Sequence, residues 1–133
     1  GGLDTLIAWA ADGCPLSIIG KLDRLPEHIT LPHEVWGTLD LSHAGHLIDG
    51  SDDYIWSREH FHEKWKGGRM IHGHTPVRSL VKFVLLDGPA NTARPAFYQE
   101  GTKIDLDTAC FLSDTITVLN LTTFEQHRFT TLI

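Results

Sequence analysis

The sequence is poor in cysteine, in long apolar runs and in positive charge, and each shortage excludes a class of protein. Its two cysteines, Cys14 and Cys110, form no Cys-x-x-Cys pair, which argues against a disulfide framework and a cysteine-built zinc site. No apolar run approaches the roughly 18 residues of a membrane span, so we expect no membrane partner. The chain has 17 acidic against 11 basic residues, a net charge of −6, which disfavours a nucleic-acid partner.

The first residues also lack the marks of a targeting segment. The chain starts Gly1-Gly2-Leu3-Asp4, without methionine, a basic start or an apolar core, so no secretory signal is predicted. We therefore expect a cytoplasmic protein, and this start is typical of the middle of a longer chain or of a processed one. The 133 residues, 41% hydrophobic and 21% charged, fit one globular domain.

Histidine is abundant instead, with nine residues against 11 lysines and arginines together. The apolar spacing and the turn residues place these histidines among short helices early in the chain and strands later. This order predicts an α+β fold in a single unit over residues 1–133. The predicted helices cover residues 3–11, 17–25 and 53–66. The predicted strands cover residues 36–42, 69–71, 82–86, 103–107, 115–121 and 125–131, with a loop or edge segment around 26–32 and a long loop over 89–101.

The sharpest local motif is His72-Gly73-His74-Thr75-Pro76, which follows the short apolar strand over residues 69–71. It places His74 at the end of a strand, where loops build sites. A neutral imidazole there is a good ligand for zinc, manganese or iron. Taken alone, the motif is more typical of a turn histidine that caps a strand than of a metal ligand.

Two further residues make the pattern more specific. A second predicted strand ends in His43-Ala44-Gly45, and two strand-end histidines can meet at one metal if their strands are neighbours. Between them Trp56-Ser57-Arg58 offers a guanidinium suited to bidentate phosphate binding, although Arg58 taken singly reads as a solvated helix residue.

Five blocks of the chain, in this order, resemble the calcineurin-like metallophosphoesterases, closest to the bacterial Ser/Thr phosphoprotein phosphatase branch. The blocks are Gly-Gly-Leu-Asp-Thr-Leu (1–6), Leu-Asp-Leu-Ser-His-Ala-Gly (39–45), Tyr-Ile-Trp-Ser-Arg-Glu-His-Phe (54–61), Ile-His-Gly-His-Thr-Pro-Val (71–77) and Lys-Ile-Asp-Leu-Asp-Thr-Ala-Cys (103–110). The resemblance implies a two-metal hydrolase of phosphate monoesters. The expected substrate is a phosphorylated protein or a small phosphoester, and the expected metals are manganese, iron or zinc.

The resemblance also assigns roles to single residues. His43 and His74 match two ligands of the family's second metal, and Arg58 matches an arginine that holds the substrate phosphate. His72 has no ligand counterpart, so it is expected to be a structural strand residue. The resemblance makes Asp105 and Asp107 structural as well. The remaining histidines, His28, His33, His46, His60, His62 and His127, are given no role in the site.

Three blocks of the family are missing, namely Asp-x-His, Gly-Asp-x-x-Asp-Arg-Gly and Gly-Asn-His-Glu. They carry all ligands of the first metal, the bridging aspartate and the general-acid histidine, so we expect no complete metal site in this chain. The resemblance therefore implies the C-terminal part of a four-layer αββα sandwich, a mixed sheet with flanking helices, which is inactive by itself.

Two alternatives stay open, namely a symmetrical dinucleoside tetraphosphatase and a non-catalytic binding or assembly module that keeps the half-fold. A half-sandwich would expose an apolar sheet face, so we also expect self-association through that face.

Overall fold

The structure is a computed structural model that describes residues 7–8, 10–13, 17, 19–45, 56, 58, 61, 65, 67–88 and 94–130. Within them lie three one-turn helices, α1 (Ile19–Leu22), α2 (Val77–Leu80) and α3 (Cys110–Ser113). The strands are β1 (His28–His33), β2 (Gly37–Ser42), β3 (Arg69–His72), β4 (Ala96–Tyr98), β5 (Lys103–Asp105), β6 (Thr115–Leu119) and β7 (Gln126–Thr130).

The first five strands form one mixed sheet in the order β1-β2-β3-β5-β4. The central strands β2, β3 and β5 run parallel, while β1 and β4 pair antiparallel at the two edges. The carboxyl ends of the three parallel strands therefore meet at the same edge of the sheet, where ligand sites form in open sheets. Strands β6 and β7 form a separate two-stranded hairpin.

Apolar side chains pack on both faces of the sheet, because its central strands carry them in both directions. One apolar cluster holds Phe61, Val77, Leu80, Ala96 and Tyr98. The other cluster holds Leu39 of β2, Ile71 of β3 and Ile104 of β5, and it packs against Leu119 from the hairpin. Helix α2 is thus fixed on one face and the hairpin on the other, and both flank the edge where the parallel strands end.

The α+β class with a mixed sheet is confirmed, and so are the strands predicted over residues 36–42, 69–71, 103–107, 115–121 and 125–131, with ends that differ by a few residues. The segment around residues 26–32 is the edge strand β1. The described residues 7–8 and 10–11 of the first predicted helix are helical, and α1 lies inside the second. Most of the helix predicted over residues 53–66 lies outside the described residues.

Two predictions were wrong. Residues 82–86 form turns in place of a buried strand, with only Leu86 bridged to Tyr98, and Leu85 is 91% exposed. The long loop predicted over residues 89–101 contains the edge strand β4. Strand β4 pairs antiparallel with β5, which follows it directly in the chain after the turn at residues 99–102.

Apolar side chains do lie on the surface of the hairpin. Ile116 and Phe129, a cross-strand pair, are 50% and 59% exposed, and Val118 beside them is exposed too. Self-association through an exposed sheet face stays a prediction. In the described part of the chain, none of the helices has the length and apolarity needed to cross a bilayer.

Candidate functional site

The ends of the parallel strands are joined by backbone hydrogen bonds just beyond the regular sheet. The N–H of Gly73 donates to the carbonyl of His43 over 2.8 Å, and the N–H of Leu106 donates to the carbonyl of His72 over 2.7 Å. These bonds continue the β2–β3 and β3–β5 pairings into the segments that follow the strands. The loop after each strand therefore has a fixed position relative to its neighbour.

His43 and His74 lie side by side at this edge. Their ring centroids are 5.0 Å apart, with the ring planes inclined at 60°. Both line a cleft of about 370 Å³, whose polar walls also include Ser42 and Asp107. His43 is exposed and His74 half-buried. The adjacency of β2 and β3 thus brings the two predicted metal ligands together.

His74 is held in an uncommon backbone conformation. Its φ is 66°, and the N–H of Thr75 donates to the carbonyl of Gly73 over 2.7 Å. A hydrogen bond from residue i+2 to residue i across a positive φ is a γ-turn of the rarer, strained kind. Strain of this sort collects at functional sites, where the surrounding structure holds it in place.

A buried pair of side chains braces that turn. Nε2 of His72 lies 2.7 Å from the Tyr98 hydroxyl, and its Nδ1 lies 3.2 Å from the carbonyl of Gly73. Burial lowers the pKa of His72 to about 4, helped by the charge of Lys103, so its ring is neutral. Nδ1–H then donates to Gly73, and the Tyr98 hydroxyl donates to Nε2. His72 is thus the structural strand residue that the sequence predicted.

Arg58 reaches the same turn from the segment between β2 and β3. Its Nε donates to the Thr75 hydroxyl over 2.9 Å, and Arg58 taken as a whole residue is exposed. Trp56 stands edge-on to His74, with ring centroids 5.3 Å apart. Arg58 therefore contacts Thr75, the residue that follows His74. Its Nη groups make no hydrogen bond to the described residues.

The two carboxylates after β5 support the backbone. Oδ1 of Asp105 accepts the N–H of Asp107, and Oδ1 of Asp107 accepts the N–H of Ala109, each over 2.9 Å. The carbonyl of Asp107 accepts the N–H of Val77 at the start of α2. These contacts agree with the structural roles predicted for both residues. Burial raises the pKa of Asp105 to about 8, opposed by the hydrogen bond from the Asp107 N–H and helped by the Asp107 carboxylate.

The other described histidines lie away from the cleft. His33 stacks on Trp36, with ring centroids 4.2 Å apart, and its Nε2 lies 3.1 Å from the carbonyl of Leu121. On the edge strand β1, Nε2 of His28 lies 3.4 Å from Oδ1 of Asp40. His127 is exposed on β7. His33 is thus half-buried. His46, His60 and His62 lie outside the described residues.

The donor set fits only part of a metal site. His43 and His74 can supply two imidazole nitrogens to one ion, whereas zinc takes four ligands and manganese up to six. Among the described residues, no group of three or more histidine, cysteine or acidic side chains could hold a metal ion. A complete site needs further ligands from outside this described set.

Three residues of the site were not predicted from the sequence. Thr75 orients Arg58, Tyr98 holds His72, and Ser42 has a buried hydroxyl at the cleft wall without a hydrogen-bond partner among the described residues. Thr75 lies inside the Gly-His-Thr-Pro motif, which was a usable signal. Tyr98 falls in the segment predicted to be a loop, so no pattern indicated it.

No protein-family model, no curated protein and no solved structure matches this chain.

Proposed function

We propose that this chain is the C-terminal part of a two-metal, calcineurin-like phosphoesterase, most simply a Ser/Thr protein phosphatase. The observation that carries the proposal is the convergence of His43, His74 and Arg58 at one sheet edge. These residues come from three separate blocks of the sequence, and motif resemblance alone does not bring them into contact. Two imidazoles beside a guanidinium are suited to a metal ion and a phosphate group.

The backbone at Ala109 gives independent support. Its φ is 55° and its ψ 54°, a left-handed conformation that favours glycine. The family has glycine at the corresponding place in its Ile-Asp-x-Asp-Thr-Gly block, as judged by the resemblance. The backbone at position 109 thus has the left-handed conformation that suits the family's glycine, although this sequence has alanine there.

The parts of the site divide the chemistry as follows. His43 and His74 would hold one divalent ion, manganese, iron or zinc, which when bound lowers the pKa of bound water and polarises a phosphoryl oxygen. Arg58 would bind the phosphate oxygens through its Nη groups while Thr75 fixes its Nε. The mixed sheet would be one of the two sheets of an αββα sandwich, and the first metal's ligands would come from elsewhere.

The test has two steps. The isolated 133-residue chain is expected to show no manganese-dependent hydrolysis of p-nitrophenyl phosphate, and enzyme-like rates from it would overturn the proposal. The natural reading frame is expected to supply the Asp-x-His, Gly-Asp-x-x-Asp-Arg-Gly and Gly-Asn-His-Glu blocks upstream of Gly1. A start codon near Gly1 would favour the non-catalytic module.

In the protein translated from that frame, His43→Ala and His74→Ala should each lower kcat/KM by at least the roughly 10–100-fold that loss of an outer-shell partner costs, because each removes a ligand itself. His127→Ala, on the exposed face of the hairpin, is the matched control. Activity within twofold of the unmodified protein in both ligand variants would contradict the roles proposed for these histidines. Preferred hydrolysis of a dinucleoside tetraphosphate over phosphopeptides would select the alternative substrate class.

A further inference from the structure

A second cleft adjoins the cleft of His43 and His74 at the sheet edge. This second cleft has a volume of about 420 Å³ and shares Leu41, Ser42 and His43 with the first. Its other described walls are Leu25, Pro26, Glu27 and Ile29. The two clefts adjoin at these three shared residues, and we call the pair the trough and its second part the β1 groove.

The chemistry of the β1 groove is apolar with a negative end. Leu25, Pro26, Ile29 and Leu41 give it aliphatic walls, and Glu27 is its acidic residue. No lysine or arginine stands among its described lining residues. A polyphosphate chain needs cationic partners along its length, whereas aliphatic walls bury apolar side chains and gain free energy from that burial. The charge of the groove thus disfavours a nucleoside polyphosphate and favours a peptide.

The register of the sheet sets the distance between the two parts of the trough. Ile29 pairs with Leu41, and His43 follows Leu41 by two residues. Since a strand rises about 3.4 Å per residue and neighbouring strands lie about 4.8 Å apart, Ile29 lies roughly 7 Å from His43 along the strand direction and one strand to the side. An extended peptide covers that distance in about two residues. Ser42, the last residue of β2, lines both clefts.

We propose that the β1 groove binds an aliphatic side chain of an extended phosphopeptide, about two residues from the phosphorylated residue. This inference rests on the proposed phosphatase function, because it takes the phosphate to lie beside His43 and His74. It goes beyond that function by naming the residues that select the substrate.

The chain offers a matched pair of variants. Ile29 and Leu31 lie on the same face of β1, 42% and 39% exposed, but only Ile29 lines the groove. Binding of a fluorescent phosphoserine peptide with leucine two residues away is measured by anisotropy. Ile29→Glu should weaken its Kd about tenfold, and Leu31→Glu should leave it within twofold. The same peptide with aspartate in place of leucine should bind about tenfold more weakly than the leucine peptide.

The outcomes separate this inference from the proposed function. Equal binding of the leucine and aspartate peptides, equal effects of Ile29→Glu and Leu31→Glu, or tighter binding of diadenosine tetraphosphate would each overturn the groove assignment. Hydrolysis of p-nitrophenyl phosphate by the protein translated from the natural frame is scored separately, because that substrate carries no aliphatic peptide side chain to bind in the β1 groove. If that hydrolysis is absent while peptide binding depends on Ile29, the proposed catalysis fails and the groove assignment stands.

Discussion

The hydroxyl of Tyr98 lies 2.7 Å from Nε2 of His72, and both side chains are almost fully buried. His72 in turn contacts the carbonyl of Gly73, which also accepts the N–H of Thr75 across His74. A chain of hydrogen bonds thus runs from the buried side of the sheet to the turn that presents His74. Buried networks of this kind are strong when complete and costly when broken.

Tyr98→Phe should lower the free energy of unfolding by about 1–3 kcal/mol, because it leaves Nε2 of a buried histidine without a donor. The measurement is urea denaturation of the chain. A double-mutant cycle with His72→Phe isolates the pair, and a coupling energy of about 1 kcal/mol is expected. Coupling within about 0.5 kcal/mol of zero would show that the two residues act independently.

Because the φ of His74 is positive, two substitutions at this position can separate the effect of backbone strain on stability from the effect of losing the imidazole. His74→Gly and His74→Ala both remove the imidazole, but only glycine adopts a φ of 66° without penalty. His74→Gly should therefore be more stable than His74→Ala by about 1 kcal/mol.

His43 is the matched control, since its φ is not in the positive region. There the order should reverse, with His43→Gly less stable than His43→Ala by about 0.5–1 kcal/mol because glycine loses more backbone entropy on folding. The same order at both positions in thermal or urea unfolding would show that the turn at His74 stores no strain.

The sequence predicted strands β2 and β3, the histidine at each end, and the structural role of His72, because apolar runs that end in a glycine-containing turn leave a local signal. It did not predict β4, a three-residue edge strand whose pairing partner is β5. The meeting of His43 and His74 depends on the parallel pairing of β2 with β3, which is a long-range contact. The contact between Tyr98 and His72 could not be predicted from the sequence either, because it too is a long-range contact.

The buried carboxyl of Asp105 should make stability fall as pH rises towards 8. Burial raises its pKa from 3.8 to about 8, so between those values the folded chain holds a proton that the unfolded chain releases. The free energy of unfolding then falls with rising pH, by at most about 1.4 kcal/mol per unit. His72 has the opposite sign, since its pKa is lowered from 6.5 to about 4 and its contribution is lost as pH falls through that window.

Between about pH 4 and 6.5, the effects of Asp105 and His72 on the free energy of unfolding offset each other. From about pH 6.5 to 8, only the decrease in the free energy of unfolding due to Asp105 remains of the two. Asp105→Asn should remove that fall, and its stability relative to the unmodified chain should increase over the same interval. Urea denaturation at half-unit pH steps measures the slope, with Asp23→Asn, an exposed carboxyl, as the control. A slope that persists in Asp105→Asn would assign the pH dependence to another group.

The hydrogen bond from Arg58 to Thr75 gives a test of phosphate binding that needs no turnover. Thr75 is 3% exposed, and Thr75→Val keeps its shape while removing the oxygen that accepts from Nε of Arg58. Ordering the Arg58 side chain on a bound anion would then cost about 1 kcal/mol more in side-chain conformational entropy. Thr75→Val should accordingly weaken orthophosphate binding about fivefold, and Arg58→Ala should abolish it. Titration followed by the NMR signals of the His74–Thr75 turn measures both, with exposed Thr130→Val on the hairpin as the control. Unchanged phosphate affinity in Thr75→Val, with Arg58→Ala still impaired, would mean that Arg58 binds the anion without this support.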